Sequence, residues 1–131
     1  MEELEQPAVS YDGVEFPNAR LQVVAMLQSL ASPEHQQRVW LAGAPEPGGA
    51  VDDLTMVVNV LYDDTRALED PEAVVGEVLR NENEARVLRE LADLLDVLID
   101  ELGEAPDSAY LASRRWPAVV EAARKALRSM A

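Results

Sequence analysis

Between Asn81 and Gly103 leucines fall at positions 88, 91, 95, 98 and 102. These alternating steps of three and four residues lie on one face of a helix and of no other regular structure. Val87, Leu94 and Ile99 widen the face. Asn81 is a good side-chain cap with Glu84 three residues on, the spacing of a capping box, and Gly103 supplies a left-handed stop. A helix of about 81–103 with so broad an apolar stripe needs neighbours to cover it, which makes it the central strut of a bundle.

The remaining signals supply those neighbours. After Pro17-Asn18, Leu21, Val24 and Leu27, with Val23 and Leu30 beside them, predict a helix over 18–31. Ser32-Pro33-Glu34 reads as cap, first helical position and first-turn acid, and Gly43 as the stop of a helix over 33–42. The segment 44–50 holds two prolines and two glycines and reads as a surface loop or hinge. Residues 54–62 are rich in β-branched side chains that suit a strand, yet Leu54, Val58 and Leu61 fit a helical stripe. Asp52 and Asp53 ahead of them, and the lack of a pairing strand, favour helix. Asp70-Pro71-Glu72 predicts a short helix to Leu79, weakened by Gly76. A turn carrying Tyr110 and Leu111 precedes a last helix over 117–130, with Val119, Ala123, Leu127 and Met130 on one face. Residues 1–16, with Pro7, Gly13 and a possible Asp12-Gly13 turn, read as an irregular arm. The expected fold is all-α, a single compact helical bundle of five or six helices spanning 17–131.

Composition narrows the function classes. A chain of 131 residues that is 48% hydrophobic is not an acidic disordered chain and buries a core without staples. It has no cysteine, which removes disulfides, thiolate metal sites and cysteine nucleophiles. The net charge of −14 opposes binding to nucleic acid and to anionic membranes. No apolar run is long enough to span a bilayer and the first residues carry acids where a targeting signal carries bases, so the expected location is cytoplasmic. The charge is uneven: residues 113–131 hold five bases against one acid, a net +4, leaving −18 on residues 1–112.

No catalytic constellation stands out, and no cofactor is expected beyond magnesium as an alternative. Magnesium chemistry needs carboxylates converging from facing helices, and Asp63, Asp64, Glu90 and Asp93 are the candidate ligands. The competing reading of these acids is a solvated face opposite the leucine stripe. His35 lacks a Ser or Cys partner motif in sequence and reads as a surface residue. Trp40 and Trp116 read as core anchors or interaction hot spots, and Tyr62, followed by two acids, as a packed ring or a ligand contact. Arg124 and Arg128 belong to the basic end, which reads either as a face that docks on acidic neighbours or on a second copy of the chain, or as ordinary helix-dipole matching with surface salt bridges.

Gln37-Arg38-Val39-Trp40, Asp52-Asp53-Leu54, Leu61-Tyr62-Asp63-Asp64, Asp70-Pro71, Val75-Gly76, Leu102-Gly103-x-Ala105-Pro106-Asp107, Tyr110-Leu111 and Arg115-Trp116-Pro117 follow in that order. In this order and spacing the chain resembles an uncharacterised family of small acidic actinobacterial proteins, over about residues 15–130. The resemblance implies no activity and transfers no functional residue. From the residues themselves the leading expectation is a non-enzymatic protein-binding or regulatory module engaging a basic partner. The alternatives are a magnesium-dependent all-helical nucleotide or phosphate hydrolase and a homo-oligomeric structural module.

Overall fold

The structure, a computed structural model, describes residues 14–43 and 51–131. The Asp12-Gly13 turn and the loop 44–50 lie outside the described residues. Six α-helices and no strand occur among the described residues: α1 (Pro17–Leu30), α2 (Pro33–His35), α3 (Leu54–Val58), α4 (Glu82–Leu102), α5 (Asp107–Leu111) and α6 (Trp116–Met130). Two of them continue as wider π-helical turns, α2 into Gln36–Leu41 and α3 into Asn59–Asp64. The expected all-α bundle is therefore the observed one. No described helix is long and apolar enough to cross a membrane.

The predicted strut is α4. Asn81 Oδ1 accepts the Glu84 amide at 2.9 Å, and Gly103 ends the helix with φ +54°. Leu88, Leu91, Leu95 and Leu98 are fully buried. Each such leucine stabilises the fold by about 1.5–3 kcal/mol relative to its exposed state. The main partner of α4 is α6, and α1 packs on α6 in turn. On α6 Val119, Ala123, Ala126 and Met130 are fully buried, and Trp116 and Val120 are nearly so. Tyr110, on α5 where a turn was expected, donates its hydroxyl to Gly103 O at 2.6 Å and ties α5 to the end of α4.

Residues 54–64 are helical, and the widened turns place Leu54, Val57 and Leu61 in the core, with Val58 only partly covered. The β-branched content yields to burial of this stripe against α1. Asp53 Oδ1 caps α3 by accepting the Met56 amide at 2.8 Å.

The helix expected over 70–79 is corrected. Only one 3₁₀ turn, Pro71–Val74, forms, and Asp70 makes no side-chain cap. Val75 is extended and Gly76 sits at φ +92°, a left-handed conformation that ends the helical path and allows an isolated bridge between Val75 and Leu79. The chain just before α1 docks here: Glu15 N donates to Gly76 O at 2.9 Å and Phe16 N to Glu77 O at 2.8 Å.

The capping box is also corrected. The Glu84 carboxylate turns inward rather than back to Asn81. It accepts two bonds from buried Arg20 at 2.9 Å each and one from Arg80 N at 2.7 Å. Arg20 further donates to Val78 O and Met130 O, both at 3.0 Å, so one guanidinium joins α1, α4, the end of α6 and the turn before α4.

Candidate functional site

Ser29 ends α1, and Ser32 Oγ caps α2 by accepting the His35 amide at 3.1 Å, which fixes His35 in the first turn. Asp52 lies one residue before the Asp53 cap of α3. These local choices bring three side chains together that the sequence keeps apart. Asp52 accepts from Ser29 Oγ at 2.5 Å, from His35 Nε2 at 2.6 Å and from Trp40 Nε1 at 3.0 Å. His35 and Asp52 are only 14% and 9% exposed, so this pair sits at the edge of the core. His35 is thus not the free surface residue its sequence context suggests.

A second polar relay backs the first. Gln36, 1% exposed, donates to Ser29 O at 2.9 Å and Leu30 O at 3.0 Å, and its Oε1 accepts from Trp116 Nε1 at 3.0 Å. It thereby satisfies carbonyls at the end of α1 and the indole at the start of α6. The two indoles meet edge to face, with centroids 6.1 Å apart. Trp40 and Trp116 are buried, serving the core and these two hydrogen bonds.

Ser, His and Asp in contact raise the question of nucleophilic catalysis, and the geometry answers it. A relay needs imidazole between the two groups, the hydroxyl at one ring nitrogen and the carboxylate at the other. Here both approach Nε2, with Ser29 Oγ at 3.4 Å, and the serine proton goes directly to Asp52. This arrangement is not that relay; it ties the end of α1, the start of α2 and the residue before the α3 cap together. The cluster forms one wall of a cleft of about 460 Å³ between α1, α2 and α3, lined also by Met26, Val51 and Met56.

The other predicted residues are dispersed. Glu90 pairs with Lys125 at 2.9 Å and with Arg86 at 3.4 Å, and the lysine holds its carboxyl below the usual range. Asp63 and Asp64 are exposed at the end of the α3 continuation, and Asp93 is exposed on α4. Among the described residues no group of three or more His, Cys, Asp or Glu side chains that could hold a metal ion is found. Tyr62 is half-buried and donates to Asp96 Oδ1 at 2.7 Å; burial, then that carboxylate, push its phenol well above the ordinary value. Arg124 bonds Glu121 and Ala31 O, while Arg128 is exposed in the last turn of α6. Two half-exposed ion pairs tie the basic end to α4, Lys125 to Glu90 at 2.9 Å and Arg115 to Glu101 at 3.4 Å.

Sequence reasoning missed Asp52 as the hub, although it names the residue at a helix start and in the Asp52-Asp53-Leu54 motif. Ser29 and His35 flank one helix junction, but Asp52 lies seventeen residues beyond His35 with no periodic relation to either. Comparison with curated proteins and with solved structures finds no match. A family model does match, over residues 14–131. The chain belongs to that family, which is described as a domain of unknown function, DUF7945.

Proposed function

We propose that this protein is a non-enzymatic, cytoplasmic binding module, with residues 17–131 as a single domain, whose acidic flank engages a basic partner protein in a regulatory role. One observation carries the reading: two stretches without a single Lys or Arg are brought side by side. They run between Arg38 and Arg66 and between Arg89 and Arg114. The Tyr62–Asp96 hydrogen bond sets the end of the first beside the middle of the second. Asp63, Asp64, Asp93, Asp96, Asp100 and Glu104 are all exposed there, and among the described residues none of them is in a salt bridge given by the structure. A single-sign surface of this kind speeds encounter with oppositely charged proteins and repels phosphate backbones.

The test is affinity capture on immobilised protein at about 50 mM and about 300 mM salt, where screening differs sharply. A basic protein is retained at low salt, released at high salt, and retained several-fold less by the triple variant Asp93→Asn, Asp100→Asn, Glu104→Gln. Recovery of no basic protein at low salt, or equal retention by the variant, overturns the reading.

A further inference from the structure

The acidic flank continues into an apolar surface that the Asp52 cluster supports. Two adjoining clefts, of about 460 and about 470 Å³, share Val51, Asp52 and Met56. Val51 is 57% and Met56 44% exposed, and partly buried Met26 faces them across the first cleft. Methionine is unbranched and polarisable, which suits a surface that must fit a partner side chain. Asp52, Asp53 and Asp64 line the same two clefts, and no Lys or Arg does. The wall is stiff, because Asp52 is bonded to Ser29 of α1, to His35 of α2 and to Trp40.

Resting on the acidic-flank reading, we infer that this α1–α3 cleft is the anchor point of the partner, and that its occupant is an amphipathic basic segment. A large apolar side chain of that segment enters between Met26, Val51 and Met56, and its Lys or Arg residues meet Asp53 and Asp64. An acidic segment is repelled from this rim. A purely apolar one gains nothing from its carboxylates. Charge complementarity beside an apolar floor is what a basic amphipathic segment satisfies on both counts.

Methionine methyl NMR on the full chain tests this directly. Of the four methionines, Met26 and Met56 line the cleft and Met130 is fully buried in the core, a built-in control. The probes are two synthetic peptides of equal charge, one leucine–lysine with an amphipathic helical pattern, one serine–lysine. The leucine–lysine peptide is expected to shift the Met26 and Met56 signals, leave Met130 in place, and bind about tenfold tighter than the serine–lysine peptide, a difference of one decade in affinity. Met56→Ser lowers its affinity several-fold, with an unshifted Met130 signal reporting an intact fold, whereas Val97→Ser on the exposed face of α4 does not. If both peptides bind equally, or bind without moving Met26 and Met56, the cleft is not the anchor although the acidic flank still binds. If neither binds at low salt, the cleft and the acidic-flank reading both fall.

Discussion

Arg20 and Glu84 are both 0% exposed, and their bidentate pair is the costliest feature of the interior to disturb. Burial alone would raise the Glu84 carboxyl, but hydrogen bonds from Arg20 and Arg80 outweigh it and hold it below the usual range. A carboxyl lowered in the folded state adds stability that is complete above its unfolded value of about 4.3 and is lost as pH falls through the folded value. Glu84→Gln leaves a buried guanidinium without its counter-charge and should cost about 3–5 kcal/mol at pH 7, measured by urea unfolding. The gap between wild type and variant should narrow below about pH 4, as Glu84 protonates. Gln36→Leu removes the partner of Trp116 Nε1 and of two α1 carbonyls, with an expected loss of about 1–3 kcal/mol in the same assay. The Arg20–Glu84 pair is not legible from sequence: Arg20 is a charged residue on the stripe that Val23, Val24 and Leu27 continue, and Glu84 satisfies a capping-box spacing that its side chain does not use.

At the scale of elements, legibility follows how local the deciding interactions are. Helix α4 is set by its own stripe and its own ends, so its bounds are readable to within a residue. Asn81→Ala should cost it about 1 kcal/mol, seen as a lower thermal midpoint. The segment 70–79 is the opposite case. Its cap-proline-acid start was a sound local signal, yet Gly76 at φ +92° and the docking of Glu15 and Phe16 on its carbonyl side give a turn. No atom lies within 4 Å of where a Gly76 side chain would begin, so Gly76→Ala is opposed by backbone conformation alone. A loss of about 1–2 kcal/mol is expected, without any change in helix content by circular dichroism.

For the whole molecule, the net charge of −14 makes the folded state repel itself, and the few cross-element pairs, such as Lys125–Glu90 and Arg89–Glu72, offset only part of it. Raising salt from about 20 to about 300 mM should therefore raise the thermal midpoint, since screening relieves more repulsion than it weakens attraction. A fall in the midpoint would mean that the surface pairs outweigh the repulsion. The sequence by itself determined the all-helical class, the strut α4, the last helix with its basic residues, and the net charge of −14. All of these follow from periodicity, end signals and summed charge, which are properties of short windows or of composition. Only the tertiary structure decided that Asp52 gathers Ser29, His35 and Trp40, that Glu84 meets Arg20 sixty-four residues away, and that Tyr62 meets Asp96. Such contacts depend on how helices cross, and a partial rotation about a helix axis redirects a side chain without changing any local signal.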